Sequence, residues 1–142
     1  MENRKILFIL AIAIVAVGVL GFVSAAEGTT ENIRGIDFNI PSDFVKSNYS
    51  DQNNESNIAT TDICIYSDSR GDVYSIMVME YKSSPDGLLN EKDDGNKTTI
   101  KNIDGYLTKE SNGDLVFKYI KGKCLVEVSA PTKDKIEEMI IA

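Results

Sequence analysis

From residue 36 the chain alternates between apolar and polar positions. Ile36, Phe38 and Ile40 are separated by Asp37 and Asn39, which predicts a half-buried strand that Pro41 ends. Residues 42–45 read as a turn or the start of a short helix that tucks Phe44 against a sheet. Residues 47–57 are rich in Asn, Ser and Asp and predict a loop. Two longer strands follow at 58–66 and 73–81, and the Gly-containing polar connector between them is a hairpin signal. The second strand carries Val73, Ser75, Met77, Met79 and Tyr81 on one face and Tyr74, Ile76, Val78 and Glu80 on the other. Both faces are apolar enough to place it near the centre of a sheet. Residues 83–97 form a polar insertion in which Leu88 and Leu89 anchor one helical turn. Strands at 98–103, 105–109, 115–120 and 124–129 then make a local meander. Asn112-Gly113 suits a type I′ turn with positive φ at both residues, and Lys121-Gly122-Lys123 makes the next tight turn. Pro131 stops the last strand, and Thr132 caps a helix whose Ile136, Met139 and Ile140 share one face. The pattern predicts a single α+β domain over 34–142: an antiparallel sheet of about six strands with the C-terminal helix packed on one face, after an N-terminal signal or anchor helix.

The first 25 residues follow a different rule. Arg4 and Lys5 precede an uninterrupted apolar run from Ile6 to Val23. The basic pair stays on the cytoplasmic side and sends the remainder of the chain out. A run of this length also suffices for a permanent transmembrane helix. Gly18 and Gly21 weaken the helix ahead of Ser24, Ala25 and Ala26, small residues that suit a signal-peptide cut. Segment 1–25 is therefore expected to be a signal peptide or an N-terminal membrane anchor, with cleavage favoured. Residues 26–33, small and polar, are expected to form a flexible leader. The expected location is extracytoplasmic, secreted or held at the membrane only through 1–25 if these residues are retained.

Charge narrows the partners. Cutting after Ala25 leaves 117 residues with 13 basic and 21 acidic side chains, a net charge of −8. An acidic domain with scattered lysines repels phosphate backbones and anionic lipid, so no nucleic-acid partner is expected. Export also changes the reading of Cys64 and Cys124, the two cysteines of the chain. In an oxidising compartment they are expected to pair as a disulfide, worth on the order of 4 kcal/mol in the chain-entropy model. Metal-binding or redox thiols are the alternative, but there is no His to complete a metal site and no C-x-x-C spacing.

No pattern of catalytic or cofactor-binding residues stands out; without His, the usual base beside a nucleophile is missing. Asp51, Asn53, Glu55 and Asp62 mimic the positions of a calcium loop, although Ser56 replaces the turn glycine and Asp62 the bidentate Glu. Glu91, Asp93, Asp94 and Asn96 are similar. A solvated polar loop is the simpler reading of both. Arg70-Gly71-Asp72 falls at a predicted hairpin tip, where glycine beside charged residues is commonplace. Asn48, Asn54 and Asn96 each begin an Asn-X-Ser/Thr glycosylation sequon in or beside a predicted loop. Two function classes follow. One is a non-catalytic cell-surface or secreted binding or accessory domain that engages an envelope protein or glycan. The other is an extracytoplasmic carboxylate-based hydrolase, with or without calcium assistance.

The segment Gly35-Ile36-Asp37-Phe38-Asn39-Ile40-Pro41-Ser42-Asp43-Phe44, the hairpin Phe117-Lys118-Tyr119-Ile120-Lys121-Gly122-Lys123 and the closing amphipathic helix resemble small secreted or membrane-anchored archaeal proteins of unknown function. In layout the chain is also similar to PsbP-like domains. The resemblance implies a non-enzymatic accessory or surface domain and assigns no functional residue.

Overall fold

The computed structural model describes residues 28–47 and 51–142, with the backbone alone at 51–53. The N-terminal segment 1–25 and Asn48 lie outside the described residues. Among the described residues no helix is long and apolar enough to cross a membrane.

The chain forms β1 (Thr29–Ile33), β2 (Ile36–Ile40), β3 (Val45–Lys46), β4 (Asp51–Glu55), β5 (Ala59–Ser67) and β6 (Val73–Tyr81). A helical turn α1 (Glu91–Asp94) precedes β7 (Asn96–Ile100), β8 (Ile103–Lys109), β9 (Leu115–Lys121), β10 (Cys124–Ala130) and helix α2 (Lys133–Met139). β1 and β2 are a separate hairpin. The others build one eight-stranded antiparallel sheet in the order β3-β5-β6-β10-β9-β8-β7, with β4 also on the outer side of β5. The α+β class is as the pattern predicts, and β6 lies inside the sheet between β5 and β10, as its two apolar faces require.

One face of the sheet carries the core. Cys64 and Tyr66 on β5, Tyr74, Ile76 and Val78 on β6, Val126 and Val128 on β10, and Phe117 and Tyr119 on β9 are all buried. The β1–β2 hairpin contributes Ile33, Ile36, Phe38 and Ile40, and the C-terminal helix Ile136 and Met139, to the same cluster. Phe38 is fully buried and forms a β-bridge with Ile140 just beyond α2, so hairpin and helix close the core together. Thr132 caps α2 by accepting a hydrogen bond from the Lys135 N–H, as expected. Phe44 stacks on Tyr74 with ring centroids 4.1 Å apart, which fastens the 41–44 turn to the sheet.

Several expectations change. Residues 29–33 are not a leader. They pair along their whole length with β2 through a two-residue turn, Arg34-Gly35, with φ of 50° and 81°. Residues 51–55 within the expected loop form β4, irregularly paired to β5 with a register shift between Asp51 and Asn54. The expected strand at 98–103 breaks at Lys101-Asn102, whose positive φ values of 47° and 63° make the type I′ turn between β7 and β8. Asn112-Gly113 does not make one. Gly113 alone is left-handed at φ 97°, while the Asn112 side chain accepts from the Asp114 N–H at 3.0 Å and donates to its carboxylate at 2.8 Å. The helical turn of the 82–95 connection forms at Glu91–Asp94, where the Asn90 side chain accepts from Lys92 and Asp93, rather than at Leu88 and Leu89.

The expected disulfide is absent. Cys64 pairs in register with Ile76 and Cys124 with Glu80, so they flank β6 from opposite sides, four residues apart along it. Strand rise and spacing put their Cα atoms roughly 16 Å apart, far beyond the ~7 Å that a disulfide tolerates. A strong reductant is accordingly expected to leave the thermal midpoint unchanged, whereas a disulfide would make it fall.

Candidate functional site

The face opposite the core follows from the same register. Ile63 on β5 pairs with Met77 on β6, Met77 with Glu127 on β10, Glu127 with Lys118 on β9, and Lys118 with Tyr106 on β8. This row crosses the sheet from an apolar end to a charged middle. Ile63, Ile65, Met77 and Met79 are half-buried, and Val45 and Val73 at the adjoining corner are 67% and 53% exposed. Ile63, Ile65, Met77 and Met79 form an apolar strip on β5 and β6, and Ser67 and Ser75 lie between it and the two valines.

The 82–95 connection crosses the other half of this face. Leu89 meets Tyr106 and Ile120 at a shallow depression of about 250 Å3, also lined by Lys97, Asp104 and Gly105. Gly105 is required there because a Cβ would lie 2.3 Å from the Lys118 carbonyl oxygen and 2.7 Å from the Phe117 ring. Beside the depression, Lys118 Nζ lies 3.1 Å from Asp94 Oδ1 and 3.7 Å from Glu127 Oε1. Asp94 also accepts from the Asn90 N–H at 2.9 Å, so it joins α1 to the sheet. Burial raises the pKa of Asp94, but the Asn90 and Lys118 hydrogen bonds outweigh it and hold the carboxyl below its ordinary value. Burial wins at Glu127, with Asp94 and Glu110 adding to it, and pushes that carboxyl up despite Lys118. The two carboxyls around one lysine are thus driven in opposite directions.

Two charged clusters hold the β1–β2 hairpin on the core face. At one end Glu31 accepts from Lys46 and from the Tyr66 hydroxyl, the latter at 2.6 Å, with Cys64 Sγ 3.8 Å away. Burial opposes ionisation of Glu31, but these donors prevail and lower its pKa. At the turn Arg34 reaches Asp62 at 3.2 Å and Glu80 at 2.9 Å. Burial, with Glu80 adding to it, pushes the nearby Cys124 thiol up against the pull of Arg34. A protonated thiol there is a poor nucleophile.

The side chains of Asp51 and Asn53 lie outside the described residues, and the remaining sequence-predicted residues are dispersed. Glu55 pairs with Lys82 at 3.3 Å and Asp62 with Arg34, so these two calcium-loop positions face different cations. No group of three or more potential metal ligands occurs among the described residues. Arg70 folds back within its own loop, 2.9 Å from Asp68 and 3.2 Å from Asp72. Asn54 and Asn96 are both exposed, on β4 and β7.

Asp68, which the sequence reading overlooked, organises that loop. Its buried carboxylate accepts from the Arg70 and Asp72 N–H groups, the Arg70 guanidinium and the Tyr74 hydroxyl. Burial opposes ionisation, but the donors win and lower its pKa to about 2. Asp followed at i+2 and i+4 by polar turn residues was the available signal. A group whose pKa is lowered by folding stabilises above its unfolded value and loses that contribution as pH falls through its folded value. Stability is therefore expected to fall from about pH 4 towards pH 2, and Asp68→Asn to flatten that fall in thermal scans. Glu127 has the opposite sign: its raised pKa costs stability as pH rises above the ordinary glutamate value.

Comparison with family models, curated proteins and solved structures finds no match for this chain.

Proposed function

We propose that this chain is an exported, non-catalytic surface domain that binds an envelope protein through the face opposite its helix. The carrying observation is the apolar strip formed by Ile63, Ile65, Met77 and Met79, with Val45 and Val73 at the adjoining corner. Apolar side chains left partly exposed together on one face mark interaction sites, and methionines adapt to a partner's contours. A flat apolar strip suits protein side chains better than hydroxyl-rich glycans. The basic residues and apolar run of 1–25, and the resemblance to small surface proteins, support the extracytoplasmic setting.

The test is affinity capture from the native cell surface with the wild-type chain, with Ile63→Glu/Met77→Glu, and with the control Asp134→Asn on the helix. A stoichiometric protein partner is expected with wild type and control, with at least about tenfold weaker binding to the double variant. Equal capture by all three would remove the assignment of this face.

A second reading, carboxylate catalysis, rests on the Asp94–Lys118–Glu127 cluster, whose carboxyls have pKa shifts of opposite sign. On that reading Glu127→Gln abolishes hydrolysis of an extracellular ester or glycoside substrate while leaving partner capture intact.

A further inference from the structure

The sheet is open, and its two edges differ. On one, β3 and β4 both pair with β5, and the β4 pairing carries a register shift between Asp51 and Asn54. An irregular edge is a poor template for another strand. On the other, β7 pairs regularly with β8 over five consecutive residues, and among the described residues nothing pairs with its outer side. Such an edge recruits strands from other chains unless something blocks it.

The first three residues of β7 are Asn96-Lys97-Thr98. Asn96 is exposed, and because side chains two apart in a strand share a face, its amide and the Thr98 hydroxyl are neighbours. The hydroxyl donates to the Asn96 carbonyl oxygen at 3.0 Å. Asn96 pairs with Leu107, which packs against the core cluster, so it occupies the rim of the helix-bearing face. Asn54 instead pairs with Thr61, itself opposite Met79, beside the apolar strip. A sugar at Asn96 therefore leaves the partner face clear, whereas one at Asn54 intrudes on it.

We propose that Asn96 carries an N-linked glycan that blocks the β7 edge. Asn96 Nδ2 forms a bond to the anomeric carbon of a sugar carried on a prenyl-phosphate lipid. The bond from that carbon to the phosphate oxygen breaks, the lipid phosphate leaves, and the amide proton passes to a solvent base. This inference rests on the export reading above.

The test is peptide mass mapping of the chain isolated from its source cells, as wild type, Asn96→Gln and Thr98→Val, with cell fractionation of the same samples. In the wild type the Asn96 peptide is expected to exceed its polypeptide mass by a whole number of sugar residues. Both variants return it to the bare mass. With unchanged circular dichroism they should also elute as larger species as concentration rises, which the wild type does not do. A bare Asn96 peptide in surface-exposed wild-type chain overturns glycosylation, and recovery of the chain from the cytoplasm overturns the export reading with it. A glycosylated wild type whose bare variants stay monomeric overturns the blocking role.

Discussion

Phe38→Ala is expected to lower the unfolding free energy by about 3–5 kcal/mol, the usual cost of emptying a buried aromatic site. Phe38 is fully buried and sits where the β1–β2 hairpin meets the end of the helix through the Phe38–Ile140 bridge. Its neighbours cannot collapse easily into the space. Ile33, Ile36 and Ile40 are fixed by the hairpin register, and Ile136 and Met139 by the helix. Urea denaturation measures the effect. A loss below about 1 kcal/mol, typical of a surface site, would show that the hairpin lies on the domain without belonging to its core. The same experiment on Phe44→Ala offers a comparison, because that ring is only half-buried against Tyr74 and Tyr66.

Lys118→Met is the second large effect. The substitution keeps an unbranched chain only one atom shorter but leaves Asp94 and Glu127 facing each other without their cation. Removing one partner of a fully buried pair costs about 3–5 kcal/mol. These side chains retain 12–25% exposure, so solvent screening reduces the expected loss to about 2 kcal/mol. Glu127→Gln added to Lys118→Met should recover roughly half of it by removing the like-charge repulsion. Stability of the single variant should also fall more steeply with rising pH than that of the wild type, since Glu127 then ionises with no lysine to offset its burial. If all four corners of this double-mutant cycle add within about 0.5 kcal/mol, the cluster carries no coupling.

Strand periodicity and terminal punctuation were legible in the sequence because they are local. The alternation in Ile36-Asp37-Phe38-Asn39-Ile40 gives β2 at its observed bounds, and Thr132 with the Ile136 and Met139 spacing gives the capped helix. The two apolar faces of 73–81 also placed β6 inside the sheet. The candidate site was less legible. Ile63, Met77, Glu127 and Lys118 lie on four different strands, and no spacing along the chain announces that they share a row. The Asp94 contact to Lys118 spans 24 residues and depends on how the 82–95 connection crosses the sheet.

By itself, then, the sequence determined the α+β class, the strands from 58 onward in outline, the closing helix and the acidic character of the domain. Each follows from side-chain period, turn chemistry or composition, which act within a few residues. Tertiary structure alone decided that Thr29–Ile33 is a strand, since its one buried apolar residue, Ile33, gains its place from β2 and its Glu31 from Lys46 and Tyr66. It also decided the fate of the cysteines. Strand order sets Cys64 and Cys124 on opposite sides of β6, and no local pattern carries strand order, because pairing partners are chosen by long-range packing rather than by neighbours in the chain.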